Sequence, residues 1–407
     1  MPSSQTHTQQ ETPLPLAGLK VLELGSLIAG PYASALLAQF GAEVIKVEPP
    51  GVGDPLRKWR KLHEGTSLWW YVQSRNKKSV TLDLRSEQGQ EIARELACEA
   101  DILVENFRPG TLEKWGLGWD DLSARNPGLI MLRISGYGQT GPYRERPGFA
   151  AIAECMAGLR YVTGYPDRAP VRTGVSLGDT LASLYGMVGA MVALHHRNTN
   201  GGKGQVVDVA LYESIFAVME SLIPEYAMLG HVRERSGSAL PGIVPSNTYL
   251  SQDGHYVAIA GNGDAIFQRL TRAMGRTDLA DDPELAQNDG RARHTERIDG
   301  AISEWAASLP LEKILSVLEQ ASVPAGRIYT AKDIYEDLHY RARDMIEEMA
   351  LPDGQPFAMP GIVPKLSATP GRTRWVGPEL GEHTDEVLAR IGVTKEQLAQ
   401  LREAGLA

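Results

Sequence analysis

Asp179 stands at the junction of Val175-Ser-Leu-Gly-Asp179-Thr180 and a long apolar stretch, residues 181–194. The stretch is apolar or small around its whole period of about 3.6 residues (Leu184, Met187, Val188, Met191, Val192), which predicts a buried helix with Asp179 as its N-cap. A carboxylate there meets backbone N–H groups and the positive helix end, both of which favour its ionised form. Such a group can attack an activated acyl compound. An Asp in front of a helix can also be a cap and nothing more. Gly174, Gly178 and Gly186 leave room for another backbone or a ligand, which a cap does not require. Position alone leaves both readings open.

The elements that must hold this carboxylate are of ordinary globular type. The chain has 407 residues, 43% hydrophobic and 22% charged, enough for two or three domains. Residues 1–13 are rich in Ser, Thr and Gln without apolar pattern and are expected to be a disordered tail. From residue 19 strand patterns (19–24, 43–48, 79–83, 101–105, 129–134) alternate with helical ones (31–40, 86–97), predicting a Rossmann-like, mostly parallel sheet with helices on both faces. After about residue 225 the character changes. Asp253-Gly254 lies between apolar runs as in a hairpin, and short helices follow. The predicted organisation is a large α/β domain over 14–225, a smaller α+β domain over 226–335, and a return segment over 336–407 that completes the large one.

Composition excludes several function classes. A net charge of −9 argues against general nucleic-acid binding. No uninterrupted apolar run has the length of a membrane span, so no membrane role and a cytoplasmic location are expected. Two cysteines and nine histidines offer no Cys-x-x-Cys and no His-Glu-x-x-His, so no metal site is expected. Two basic runs, Arg57-Lys58-Trp59-Arg60-Lys61 and Arg75-Asn76-Lys77-Lys78, could meet a small molecule carrying several phosphates, or be solvated surface. The first turn reads Gly25-Ser-Leu-Ile-Ala-Gly30-Pro31, not Gly-x-Gly-x-x-Gly, so a dinucleotide enzyme is not expected. The helix N-terminus there can still receive an anion.

Taken together, Gly30-Pro31, Gly41-Ala-Glu-Val-Ile-Lys-Val-Glu48, Arg75-Asn-Lys-Lys-Ser79, Asp101-Ile-Leu-Val-Glu-Asn-Phe-Arg-Pro-Gly110, Ser135-Gly-Tyr-Gly138, Gly178-Asp179, Gly202-Lys-Gly-Gln205 and Leu380-Gly-Glu-His-Thr384 resemble the class III CoA-transferase family. The likeness runs from about Leu16 to the C-terminus and is nearest the succinyl-CoA:dicarboxylate branch. It implies that Asp179 is the catalytic nucleophile, that coenzyme A or its acyl ester is substrate rather than a permanently bound cofactor, and that the protein is an interlocked homodimer. It maps CoA contacts onto Leu27, Ile28, Ala29, Leu82, Asp83, Arg85, Asn106, Phe107 and Lys114.

Departures accompany the likeness. Ile28 and Pro49 replace the Gln and Arg of the formyl-CoA enzymes, and Ala150 replaces an acid, which argues against oxalate and formate and makes Glu154 a candidate supporting acid. Arg146, Arg168 and Arg172 are candidates for an acceptor's distal carboxylate, and Gly237 and Gly242 for a covering loop. Two alternatives are weighed. A 2-methylacyl-CoA racemase would need a His-Asp pair where this chain has Phe149-Ala150, and a non-catalytic CoA-binding regulator would bind without turnover.

Overall fold

A computed structural model describes residues 13–407, so nearly all of the tail expected at 1–13 lies outside the described residues. The chain divides into two compact units. One comprises the residues up to Leu159, Thr173–Glu220 and Arg341–Ala407; the other comprises Arg160–Arg172 and Ser221–Tyr340. Residues 160–172, expected in the large domain, fall in the second unit. That segment carries no strand, and its apolar residues give no period from which its partner could be read.

The large unit is built on six parallel strands: β1 (Lys20–Glu23), β2 (Glu43–Glu48), β3 (Lys77–Thr81), β4 (Ile102–Glu105), β5 (Ile130–Ser135) and β6 (Val206–Ala210), in the order 3-2-1-4-5-6. This is the doubly wound order, with its switch point between β1 and β4. Strands β4 and β5 are buried at every position because helices cover both faces. The helices that matter for the site are α1 (Ala29–Gln39), α2 (Glu87–Glu99), α3 (Thr111–Lys114), α4 (Ala150–Met156), α5 (Leu177–Thr199) and α6 (Leu211–Phe216). Helix α1 starts two residues before the expected Pro31.

Helix α5 seats on α1, β5, β6 and α6 through a face of small residues: Gly178, Ala182, Ser183, Gly186 and Ala190. A Cβ on Gly186 would lie 3.1 Å from Leu132, so glycine there lets the helix lie close against the sheet. The opposite face exposes Leu184, Tyr185, Val188 (52%) and Val192 (63%). The expectation of a helix buried all round is therefore corrected. By length and composition α5 could also cross a membrane, but its small-residue face is spent on the sheet.

Segment 341–407 completes this unit. Its hairpin, Ile346–Ala350 with Pro356–Pro360, contributes Leu351 and Met359 to a cluster with Leu56, Trp70, Tyr71 and Val376. Asn76 accepts the Arg374 backbone N–H and donates to Arg372 O, both at 2.7 Å. The second unit has its own core around Tyr249, Ile259, Phe267, Leu270, Ile302 and Ile314, under a three-stranded antiparallel sheet of Ser246–Leu250, Tyr256–Ala260 and Ala325–Arg327.

Six buried charges lie on β1, β2, β3 and the segment that follows β2. Lys46 donates to Glu23 Oε1 (2.7 Å) and Gly25 O (2.9 Å) and pairs with Asp54 Oδ2 (2.8 Å). Lys77 donates to Glu23 Oε2 (2.7 Å) and Pro31 O (2.6 Å). Arg57 grips both oxygens of Glu48 at 2.8 and 2.9 Å and lies over the Trp70 ring. Three carboxylates thus face three cations. Burial pushes the Glu23 carboxyl up, but Lys46 and Lys77 outweigh it and hold it down at about 2. For Lys77 burial wins over the one carboxylate beside it and lowers its pKa, whereas Asp54, Glu23 and Glu48 together raise that of Lys46.

Because the folded pKa of Glu23 lies below its ordinary value of 4.5, the stability it confers, about 3 kcal/mol, is present above that value and lost as pH falls toward 2. Glu23→Gln strands Lys46 and Lys77 with their charge half compensated. It is expected to cost about 3–5 kcal/mol in urea unfolding at neutral pH, with a flatter acid limb than the parent.

Candidate active site

The turn after β1 is held from three sides. Leu27 sits at φ +65°, unusual for a non-glycine residue, and its N–H points at both Asp54 carboxylate oxygens, each at 3.1 Å. Its carbonyl accepts from Gln73 Nε2 at 2.5 Å. Asn106, just past β4, accepts the Ser26 N–H at 2.9 Å and donates to Ser26 O at 2.8 Å. A Cβ on Gly25 would stand 2.5 Å from Asn106 Oδ1, so this clasp requires glycine. The turn opens α1, whose cap residue Ile28 offers no side-chain acceptor. It lies at the carboxyl ends of the strands, at the switch point, where doubly wound sheets bind ligands.

Asp179 lies in the first turn of α5, with Ser176 as the N-cap. The expectation that Asp179 itself is the cap is corrected, because the helix starts two residues earlier, at Leu177. The side chain is half-buried at the positive helix end, which favours a negative charge. Two contacts fix its backbone. The Ser183 hydroxyl is 2.7 Å from both Ala29 O and Asp179 O, tying the first turn of α5 to the turn after β1. Gly178 lets α4 and α6 approach, since a Cβ there would meet Ile215 at 3.0 Å and Ala150 at 3.1 Å. Glu154 is buried on the same α4. Phe149 is exposed and Ala150 buried, and neither can carry a proton.

The other expected site residues distribute unevenly. Ile28 and Ala29 are buried beside the half-buried Leu27. Leu82 is 1% exposed, its side chain within the core cluster that includes Val80 and Leu84. Asp83 is half-buried and pairs with the exposed Arg85 at 2.9 Å; its hydrogen bond from Arg85 lowers its pKa. Phe107 meets Trp115 edge-on at 5.3 Å, and Lys114 is exposed at the end of α3.

Arg146 is exposed and stacks on Tyr143 at 3.6 Å. Arg168, Arg172 and Gly242 (φ +73°) are exposed in the second unit, which also holds the half-buried Gly237 (φ +67°). Gly237 packs where a Cβ would lie 2.7 Å from Tyr165.

The two basic runs divide between buried and exposed positions. Arg57 and Lys77 belong to the buried cluster, Arg75 donates to Pro360 O at 2.9 Å, and Lys78 pairs with Glu43 and Glu386. Lys58, Arg60 and Lys61 are exposed. Sequence reasoning missed the supporting groups Glu23, Lys46, Asp54, Gln73 and Ser183, and the bridge of Glu105 and Glu113 to Arg133. Charged residues inside otherwise apolar strand runs, at 23, 46, 48, 105 and 133, were the available signal. Among the described residues no group of three or more His, Cys, Asp and Glu could hold a metal ion.

The large unit is thus a doubly wound domain with its switch-point turn tied to a carboxylate-bearing helix. The pattern of CoA-transferase family III matches residues 16–384, and the chain belongs to that family, whose enzymes transfer CoA. It is 50% identical to a succinyl-CoA–D-citramalate CoA-transferase of Chloroflexus aurantiacus over 97% of this chain and 98% of the relative. A succinate–glutarate CoA-transferase of Agrobacterium fabrum is 34% identical over 93% and 96% of the two chains. The crystal structure of a CAIB/BAIF family protein from Brucella suis superposes with a TM-score of 0.82 at 35% identity, covering 93% of this chain and all of that one.

Gly25→Ala is expected to displace Asn106 and cost about 1–3 kcal/mol in thermal unfolding. Gly30→Ala, whose Cβ would meet Asn106 at an ordinary 3.4 Å, should be neutral or slightly stabilising in the same measurement.

Proposed function

We propose that the protein transfers CoA from succinyl-CoA to a dicarboxylic acid, with Asp179 as the group that carries the acyl chain. The observation that carries this reading is the position of Asp179 in the first turn of α5, bound through Ser183 to the turn after β1. The names of the relatives, with citramalate, malate and glutarate as acids, support the donor and the acceptor class. CoA lies at the β1/β4 crevice, with its thioester end along Leu27, Ile28 and Ala29. Its phosphates and adenine lie toward Arg85, Lys114, Asn106 and Phe107, with Asp83 and the backbone at Leu82 beside them.

The exchange needs four steps. An Asp179 oxygen attacks the succinyl thioester carbonyl and expels CoA thiolate, leaving a mixed anhydride. The thiolate attacks the aspartyl carbonyl and releases succinate, leaving an aspartyl-CoA thioester. The acceptor carboxylate attacks that carbonyl, freeing thiolate and forming a second anhydride. Thiolate then attacks the acceptor's acyl carbon, and Asp179 leaves as carboxylate. Protons balance throughout, and the protein's task is to exclude water from the anhydride. Arg146 meets the acceptor's far carboxylate.

The reading includes an interlocked homodimer in the cytoplasm. The apolar face of α5 and, in the second unit, Met228 (81%) and Leu229 (79%) are surfaces that a single chain leaves to water, and a partner copy would cover them.

With succinyl-CoA and a panel of dicarboxylates, chromatography should detect new acyl-CoA species; silence across the panel would favour a CoA-binding regulator. Asp179→Ala should keep CoA binding and lose transfer by roughly 10³-fold or more, and intact mass with donor alone should reveal an aspartyl-CoA adduct in the parent. In light scattering, the double variant Val188→Glu, Val192→Glu should run as a monomer; retention of the dimer mass would take α5 out of the interface.

A further inference from the structure

Glu105 closes β4 at the carboxyl edge of the sheet, directly before Asn106 and Phe107, and is 1% exposed. Its two oxygens have different duties. Oε2 accepts the Phe107 backbone N–H and Oε1 accepts Arg133 Nε, both at 2.7 Å. Arg133 lies opposite it in the register of β4 and β5. The far side of the guanidinium donates to Glu113 Oε1 at 2.7 Å and Oε2 at 3.3 Å, and Glu113 directly precedes Lys114 in α3. One line of charge-assisted bonds therefore joins the backbone at Phe107, the end of β4, the middle of β5 and the short helix that presents Lys114.

We propose that Glu105 is a positioning residue for CoA: through the Phe107 N–H and through Arg133 and Glu113 it fixes the aromatic ring and the ammonium group that receive the nucleotide end, and it takes no part in acyl exchange. This rests on the reading of the β1/β4 crevice as the CoA site. A carboxylate can accept from a backbone N–H and a guanidinium at once because both oxygens are acceptors. Once protonated, one oxygen becomes a donor facing a donor, and one of the two partners is released. Burial pushes the Glu105 carboxyl up and Arg133 recovers only part of that, leaving it at about 6. The charged groups facing it are Arg133 from β5 and Glu113 from α3, the latter adding to the upward push. The bridge is therefore intact at neutral pH and loosens as pH falls through about 6.

The test is binding of CoA by calorimetry, with steady-state kinetics at saturating acceptor, for the parent and Glu105→Gln. At pH 7.5 the variant should bind CoA about tenfold more weakly, with the KM for succinyl-CoA raised to match and kcat within about twofold. The 3′-phosphate of CoA titrates in the same range, so the readout is the ratio of parent to variant. That ratio should fall toward one by pH 5, where the parent too carries an uncharged group. A ratio independent of pH, or a loss in kcat with KM unmoved, overturns the proposal. Should Glu105→Gln fail to fold, Glu113→Gln, at the half-exposed end of the bridge, should raise the KM for succinyl-CoA two- to threefold, and an unchanged KM counts against it. If the parent neither binds CoA nor transfers it, the underlying functional reading falls instead; intact transfer with unmoved variants sinks this inference alone.

Discussion

Charge removed from water must be matched by charge, and in this protein that requirement fixes the geometry of the first turn. Glu23, Glu48 and Asp54 are set against Lys46, Lys77 and Arg57 with almost no solvent access. Removing Glu23, or either member of the Glu48–Arg57 pair, leaves a buried ion without its nearest counterpart, a larger penalty than the attraction gained by making the pair. Asp54 then does double duty: one side faces Lys46, and its oxygens also receive the Leu27 N–H and so hold Leu27 in a left-handed conformation it would not adopt alone. The cluster converts the sheet's interior into a rigid mount for the segment that follows β1.

From that mount the arrangement propagates by short, directional contacts. Asn106 fastens the turn to β4, Ser183 fastens it to α5, and Arg133 carries the connection from β4 to β5 and α3. Each link is a side chain bonded to a backbone or to a buried opposite charge, so each has few alternative geometries. The carboxylate of Asp179 and the residues around Phe107 and Lys114 therefore share a common reference in the backbone of β1 and β4.

The alternation of apolar strands with helical patterns was legible without coordinates, as were the parallel sheet and the hairpin at Asp253-Gly254, because period and turn chemistry are local. Asp179 was singled out by its helix start and assigned a role by family likeness. Three things were not legible. Whether a charged residue in a strand run is paired, as Lys46 is with Glu23, depends on which strands become neighbours. Leu82 looks like any residue after a strand, and only the packing of Val80 and Leu84 around it decides that it is core. The apolar period of α5 could not distinguish the face laid on β5 from the face left uncovered in one chain, since both are apolar in sequence.

The seat of α5 has a thermodynamic consequence. Because Gly178, Ala182, Gly186 and Ala190 bring helix backbone almost onto Leu132 and its neighbours, steric repulsion rises steeply for any slide or roll of the helix. The ordering of the Asp179 backbone is thereby charged to folding, once, and not to each encounter with a ligand. A ligand that meets this carboxylate finds a group whose motional freedom was surrendered before it arrived.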